Sequence, residues 1–236
     1  LDTKALEGIL DKKTDWVFHL AANADVREGT VAPRRDLEQN IIVTWNVLEA
    51  MRKNGVKKIG FSSTGSVYGE APVIPTTELC PFPIQTSMYG AAKLAGESYL
   101  SSYAEAYGFE SYIFRFVSIL GNRYTHGHVY DFLKKLRTDP TRLEVLGDGK
   151  QRKSYLHIDD CLDAILKATA HGGTRNRAHG LVQIDNLGTD EYCNVDSSIG
   201  IICKRLGVTP RLDYTGGDRG WIGDNPFIFL DCTKIK

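Results

Sequence analysis

The sequence lacks an excess of either charge and lacks any long apolar run, and each absence argues against a class of protein. Lysine plus arginine and aspartate plus glutamate each total 29 in 236 residues, so the formal net charge is zero. Proteins that hold nucleic acid or an anionic membrane surface usually carry a basic excess, so we expect neither partner. No apolar run approaches the roughly 18 residues of a membrane-spanning helix.

The cysteines are few and show no metal or disulfide pattern. They number five, an odd count, and no CxxC pair or His/Cys spacing of a zinc site is present. We therefore expect reduced thiols in a cytoplasmic protein. His126 and His128 flank Gly127 without a third ligand at metal spacing, so we assign no metal.

Apolar periodicity predicts alternating helices and strands in the first half of the chain. The predicted helices cover residues 3–12, 36–53 and 87–107. The predicted strands cover residues 16–22, 57–63 and 111–117. The first strand is a short apolar run that ends in small residues, which predicts burial on both faces. This βαβ series predicts a doubly wound parallel sheet of the α/β class.

The pattern changes beyond residue 120. Helices are predicted near 128–137, 159–170 and 195–206, and a short strand near 143–146, with long loops between them. We expect residues 1–120 to form one domain and residues 121–236 to form mainly a smaller lobe, with some segments returning to the first domain. The lobe is expected at the carboxyl edge of the sheet, where open α/β sheets bind ligands.

Tyr89 and Lys93 are the first candidates for chemistry. They lie four residues apart on a predicted helix, so both project from one face. A phenol with a pKa near ~10 is a poor base at neutral pH. A cation one turn away is expected to lower that pKa and to let the phenol exchange a proton with a hydroxyl group. Such a pair also occurs by chance on a solvated helix face.

Three adjacent hydroxyls strengthen this interpretation. Ser62, Ser63 and Thr64 follow a predicted buried strand, and a proline-rich loop separates them from the Tyr89 helix. With this order of strand, hydroxyls, loop and YxxxK helix, the sequence resembles the extended short-chain dehydrogenase/reductase family. It looks most similar to the NAD-dependent nucleotide-sugar epimerases of the UDP-galactose 4-epimerase type. The resemblance implies a Rossmann-like domain, with Thr64, Tyr89 and Lys93 as catalytic residues.

The resemblance extends along nearly the whole chain and implies two sets of ligand contacts. The matching cofactor-binding residues are Leu20, Ala21, Ala22, Asn40, Ser62, Ser63, Tyr89, Lys93 and Val117. The matching substrate-binding residues are Thr64, Tyr89, Ser118, Arg152 and Arg219. Arg152 matches a diphosphate contact, for which a guanidinium fork is suited. Relatives often have Asn in place of Ser118, and they place the second phosphate Arg closer to the Gly-Asp pair than Arg219.

The resemblance implies NAD as cofactor, a nucleotide-diphosphate sugar (a UDP-sugar) as substrate, and epimerisation at C4 through a transient 4-keto intermediate. Related dehydratases and decarboxylases carry acidic residues after the Thr, where this chain has Gly65 and Ser66. Another NAD-dependent nucleotide-sugar dehydrogenase, reductase or dehydratase remains an alternative. So does a non-catalytic Rossmann-like binding protein. A sugar with a carboxylate at C6 would need donors such as Arg27 or Arg123.

Two further expectations follow from the resemblance. The chain begins without Met inside a predicted helix, and the family's opening strand and GxxGxxG turn are absent from it. We therefore expect a piece of a longer protein. Relatives pair two helices across a two-fold axis, so we expect a homodimer built on helices 36–53 and 87–107. These helices carry apolar residues on more than one face.

Overall fold

The computed structural model describes residues 3–11, 13–81, 83–172 and 180–236. Its α-helices are α1 (Thr3–Ile9), α2 (Pro33–Asp36), α3 (Val43–Asn54), α4 (Met88–Tyr107), α5 (His128–Thr138), α6 (Ile158–His171) and α7 (Val195–Leu206). Its first seven strands are β1 (Trp16–His19), β2 (Lys58–Thr64), β3 (Glu110–Phe116), β4 (Ser118–Leu120), β5 (Arg142–Val145), β6 (Arg152–Lys153) and β7 (Tyr155–His157). The chain continues with β8 (Leu181–Leu187), β9 (Cys193–Asn194), β10 (Arg211–Tyr214) and β11 (Phe227–Ile228). Residue 12, the end of the first predicted helix, and residues 1 and 2 before it lie outside the described residues.

A four-stranded parallel sheet forms the centre of the fold, in the order β1-β2-β3-β8. Thr64 pairs with Phe116, and Phe116 pairs with Leu187, so three strands end at the same level. This register confirms the predicted parallel α/β sheet and brings three strand ends together at one edge. The fourth strand, β8, comes from the second half of the chain.

The prediction that the first strand is buried on both faces is wrong. Among the described residues β1 is an edge strand, and Phe18 remains 41% exposed. Its ring stacks on Trp16 at a centroid distance of 5.6 Å. It also lies across Gly60 of β2, where a Cβ would come within 2.8 Å of the ring. The apolar run therefore predicted the presence of this strand correctly but overestimated its burial.

The sheet separates two apolar clusters because side chains of β3 alternate between its faces. Ile113 packs with Leu48 of α3 and Leu100 of α4 on one face. Tyr112 and Phe114 pack with residues of α6 on the other face. The central sheet is thus covered by helices on both faces.

The predicted helix 36–53 is a longer helical segment with a widened turn. Helix α2 passes into a π-helical turn, Leu37–Ile42, which continues as α3 and ends at Gly55 with a left-handed φ of 76°. A π-turn is uncommon inside a helix and often lies at a functional site. Asn40 lies within this turn and is buried.

Short sheets and three helices make up most of the second half. Strands β5 and β10 pair in parallel, and their residues pack with α5 and α7 in a third apolar cluster. The predicted helices in this half and the strand near 143–146 are present, whereas the other short strands were not predicted. No helix within the described ranges is long and apolar enough to cross a lipid bilayer.

The first prediction concerns the core between the sheet and the helices. Leu100 is fully buried, so Leu100→Ala leaves a cavity and should lower the free energy of unfolding by about 2–5 kcal/mol. Leu166→Ala is the control, because this leucine also lies in a helix but is 57% exposed. Urea unfolding of both variants measures the difference. Equal losses of stability would contradict the proposed core.

Candidate active site

The start of α4 packs against the end of β2 and brings two predicted catalytic residues together. The Ser87 hydroxyl accepts a hydrogen bond from the Gly90 amide at 3.0 Å, and this bond caps the helix. A Cβ at position 90 would come within 2.8 Å of the Ser66 carbonyl oxygen, so glycine permits the close approach. Tyr89 in this first turn is hydrogen-bonded through its side chain to Thr64.

Burial raises the pKa of the Tyr89 phenol to about 12, the Thr64 hydrogen bond opposes this shift, and the charge of Asp36 adds to it. The expectation that Lys93 lowers this pKa is wrong in this structure. The Lys93 ammonium donates to the Ser62 carbonyl oxygen at 2.7 Å, and it lies 4.8 Å from the centre of the Phe61 ring. Tyr89 is therefore held as a neutral phenol, a proton donor at neutral pH.

Lys93 itself is almost completely buried, with 2% of its surface exposed. This burial lowers the pKa of its ammonium to about 8, and the nearby carboxylate of Glu97 opposes the shift. Because burial has the larger effect, Lys93 titrates near pH 8, where a small change in its surroundings alters its charge.

The structure separates the three adjacent hydroxyls of the sequence. Ser62 donates to the His19 carbonyl oxygen at 3.3 Å and links β1 to β2. Ser63 is buried and donates a short hydrogen bond to the carboxylate of Glu97. Of the three, it is Thr64 that is joined to Tyr89. Alternation along a strand explains why neighbouring hydroxyls have different partners.

Glu97 and Arg115 form a buried ion pair that the sequence reasoning missed. The guanidinium donates to both carboxylate oxygens, from Nε at 3.0 Å and from Nη2 at 2.6 Å. A third donor, Nη1, bonds the Tyr68 hydroxyl at 2.8 Å. A signal was available, because Glu97 continues the i, i+4 series of Tyr89 and Lys93 along the helix.

The predicted cofactor segment after β1 lines a cleft of about 750 Å³. Ala21 and Ala22 contribute small side chains to this cleft, and Ile42 and Asn46 of the opposite helical segment complete part of its wall. Its volume is in the range of small-molecule sites. Leu20 is exposed at the same strand end. Small side chains that leave the backbone accessible fit the close approach of a dinucleotide.

Asn40 supports this segment through a set of buried hydrogen bonds. Its side-chain oxygen accepts from the Asn23 amide at 2.8 Å, and its nitrogen donates to the Asn23 carbonyl at 3.1 Å and to Asp36 at 3.0 Å. Asn40 is thus placed to hold the loop after β1 in position. Asp36, which the sequence analysis did not single out, is close enough for its charge to raise the pKa of Tyr89, and one of its carboxylate oxygens is buried without a hydrogen-bond partner.

Two more predicted contacts lie at the end of β3. Val117 is buried, and its amide donates to the Leu187 carbonyl at 3.1 Å. Ser118 begins β4, its side chain is exposed, and its amide donates to Ser154 at 3.3 Å. These residues connect the central sheet to the first strands of the second half.

The structure distinguishes Arg152 from its neighbour Lys153, which face opposite sides of β6. The Arg152 guanidinium lies 3.8 Å from the centre of the Phe227 ring. The Lys153 ammonium lies 3.1 Å from Asp224 and 5.9 Å from the centre of the Trp221 ring. The sequence analysis did not single out Lys153, because it predicted no strand at residues 152–153.

Arg219 belongs to a loop that approaches the start of α4. It pairs with Glu70 at 2.7 Å and donates to the Asp224 carbonyl at 3.3 Å. Asn225 donates to the Gly69 carbonyl, and Gly223 lies against Thr86, three residues before Tyr89. The loop that follows Arg219 therefore lies beside the catalytic candidates.

Comparison with known proteins agrees with this geometry. Residues 1–179 match the model of the NAD dependent epimerase/dehydratase family. A putative UDP-glucose 4-epimerase of Methanocaldococcus jannaschii is 32% identical over 98% of this chain and 72% of its own length. The chain belongs to the NAD-dependent epimerase/dehydratase family, within the extended short-chain dehydrogenases/reductases.

Solved structures show the same similarity. A crystal structure of UDP-galactose 4-epimerase is 37% identical, with a TM-score of 0.84 over 99% of this chain and 74% of that chain. The protein MoeE5, in complex with UDP-glucuronic acid and NAD, is 26% identical, with a TM-score of 0.85 over 100% of this chain and 76% of that chain. The chain therefore has the Rossmann-type fold of NAD-dependent epimerases and spans about three quarters of the length of these proteins.

The second prediction concerns two histidines beside the site, the buried His19 and the half-buried His128. Burial, followed by the charge of Lys93, lowers the pKa of His19 to about 4, and burial with the charge of Lys153 lowers that of His128 to about 4. The unfolded chain takes up these protons first, near pH 6.5, so stability present above that pH should be lost as pH falls toward 4. The loss is at most about 1.4 kcal/mol per histidine and pH unit. Histidine NMR titration measures both values, and a midpoint near 6.5 for either residue would contradict the structure.

Proposed function

We propose that this chain is the catalytic part of an NAD-dependent epimerase that inverts C4 of a UDP-sugar through a transient 4-keto intermediate. The observation that carries the proposal is the contact between Thr64 and Tyr89 at the carboxyl edge of a parallel sheet. Lys93 lies one helical turn further on. In a member of this family, such a set is suited to moving a proton on and off a sugar hydroxyl.

Each residue has a separate part in the proposed reaction. Bound NAD would supply the reversible oxidant for the C4 carbon. The reaction needs Tyr89 as a phenolate, a form that the positive charges of Lys93 and of bound NAD+ would favour. This phenolate would take the proton of the C4 hydroxyl as the ketone forms and would return it when the opposite face is reduced. The Thr64 hydroxyl orients the sugar hydroxyl toward Tyr89, and Lys93 provides a buried positive charge on the same helix face.

The backbone after Thr64 favours epimerisation over elimination of water. A side chain at position 65 would come within 2.6 Å of Ile228 and 3.3 Å of the Phe116 carbonyl oxygen. A carboxylate cannot be added there without moving both neighbours. Ser66 is engaged by Thr64 at 3.2 Å. The chain therefore offers no acid at these positions to remove a leaving group.

A neutral hexose is the substrate that the pairing of Arg27 favours. Arg27, a candidate for a C6 carboxylate, is paired with Asp25 at 3.2 Å and with Asp131 at 3.1 Å. Its charge is thus already compensated by two carboxylates. We therefore favour UDP-glucose and UDP-galactose over a UDP-uronate. A related dehydrogenase or reductase is the second candidate, and a non-catalytic binding protein is the third.

The arrangement of the whole protein is part of the same proposal. Residues 1–120 would hold the cofactor, and residues 121–236 would mainly hold the nucleotide sugar, with β8 completing the sheet of the first part. The five cysteines are free, which supports a reducing compartment such as the cytoplasm. The two-fold contact of a homodimer would use exposed apolar residues of α3 and α4.

The third prediction tests the reaction directly. The full-length enzyme with NAD should interconvert UDP-glucose and UDP-galactose, and Tyr89→Phe should lower turnover by roughly 10²–10⁴-fold without loss of the fold. Tyr99→Phe is the matched control, since Tyr99 lies on the same helix but is 41% exposed. Product analysis with UDP-glucose, UDP-N-acetylglucosamine and UDP-glucuronate identifies the sugar. Net production of NADH would favour a dehydrogenase, and binding without turnover would favour a binding protein.

The fourth prediction separates Lys153 from Arg152 as the diphosphate contact. The Lys153 side chain contacts Asp224 and Trp221, which belong to the loop beside Tyr89. If Lys153 is the diphosphate contact, Lys153→Met should weaken UDP binding by roughly 1.5–3 kcal/mol. Arg152→Met, the paired variant, should have the smaller effect because its guanidinium packs on Phe227. Calorimetry with UDP measures both. A larger loss for Arg152 would identify Arg152, which the family resemblance indicates, as the diphosphate contact.

The fifth prediction is that the full-length protein is a homodimer. Trp45 of α3 is 44% exposed and Tyr107 of α4 is 45% exposed, and burying them in a two-fold contact removes apolar surface from water. Trp45→Glu should shift the protein toward monomer in sedimentation velocity at micromolar concentration. A parent protein that sediments as a monomer with NAD present would refute the dimer.

A further inference from the structure

Two side chains of helix α4 bond to two consecutive residues at the end of β2. Lys93 donates to the carbonyl oxygen of Ser62 at 2.7 Å. One turn later, Glu97 accepts a short hydrogen bond from the hydroxyl of Ser63. The second contact is buried, and the first is partly buried. Together they set the distance and the rotation of the helix relative to the strand that carries Thr64.

The second of these contacts depends on Arg115. This residue pairs with both oxygens of Glu97, at 3.0 and 2.6 Å, from the neighbouring strand β3. A bidentate pair fixes the carboxylate in one plane, so only one orientation also receives the Ser63 hydroxyl. The pair thus joins α4, β2 and β3 at the level where the strands end.

The network continues from Arg115 to the second half of the chain. Arg115 donates to the Tyr68 hydroxyl at 2.8 Å, and Tyr68 donates to the Asn186 side chain at 2.7 Å. The Asn186 amide nitrogen then donates to the carbonyls of Thr76 at 2.9 Å and Asp231 at 3.0 Å. A continuous set of buried polar groups therefore connects α4 with the segments that lie over the sheet edge.

We propose that Glu97 and Arg115 are a positioning pair for the reaction, which holds the Lys93 face of α4 against the end of β2 and provides the negative charge opposite Lys93. This proposal rests on the proposed function. It gives Glu97 and Arg115 a part in the reaction that does not require contact with substrate or cofactor. Their contacts act through Lys93, Ser63 and Tyr68.

The charges around Lys93 determine the sign of the expected effect. Glu97 acts on it from its own helix and His19 lies near it from β1, while the Phe61 ring covers it from β2. Arg115 of β3 contacts Glu97. His19 is neutral at pH 7 because burial lowers its pKa to about 4. Glu97 is the group that raises the pKa of Lys93 against the effect of burial, so its loss lowers that pKa further.

The experiment measures the charge of Lys93 in Glu97→Gln. Carbon-13 lysine NMR of the full-length protein follows its titration, and the Lys93 signal is identified by its absence in Lys93→Arg. We expect the midpoint to fall on the order of one pH unit. At pH 8 the charged fraction would then drop from about one half to about one tenth. Glu105→Gln is the matched control, an exposed glutamate two turns further along α4.

A second variant keeps the test decisive, because Glu97→Gln leaves the Arg115 guanidinium buried without its carboxylate and costs stability. Glu97→Gln/Arg115→Met removes both charges and should still show the lower Lys93 midpoint. The basic limb of the kcat profile should move to lower pH in both variants. An unchanged Lys93 midpoint in both variants would overturn the proposal. If the parent enzyme shows no epimerase activity, the proposed function fails while the NMR titration still decides the role of the pair.

Discussion

The register of the parallel sheet is the constraint on which the rest of the site depends. Because Thr64, Phe116 and Leu187 pair across β2, β3 and β8, the residues that follow these strands meet at one edge. The cap at Ser87 and the absence of a side chain at Gly90 then let the start of α4 approach β2 closely enough to bring Tyr89 to Thr64. The site is a consequence of strand pairing and of close packing at one helix start.

Burial acts in opposite directions on the two ionisable groups of the helix. It raises the pKa of the Tyr89 phenol to about 12 and lowers that of the Lys93 ammonium to about 8. Both shifts disfavour the charged form, so the interior holds the pair nearer to neutrality than water would. A polar ligand that enters such a site meets groups whose protonation is easily changed, which suits a reaction that moves one proton back and forth.

Sequence reasoning found the parts of this protein that follow from local pattern. The helices 87–107 and 195–206 and the parallel strands of the first half were predicted because apolar spacing and glycine stops determine them. The family resemblance supplied Thr64, Tyr89 and Lys93. The direction of side chains was harder to predict. The partners of Lys153 on β6 and of Ser63 on β2 became clear only from the three-dimensional structure. The ion pair of Glu97 with Arg115 joins residues 18 positions apart, and no local pattern connects them.

The π-helical turn at Leu37–Ile42 has a consequence for insertions and deletions in this family. A π-turn holds one residue more than an α-turn, so its removal would turn α2 by about 100° relative to α3. Asp36 would then move relative to Tyr89, and Asn40 would lose the loop that follows β1. Natural variation should therefore preserve the length of this segment as well as Asn40 within it, because a single-residue deletion would disturb the proposed cofactor wall and the proposed catalytic tyrosine together.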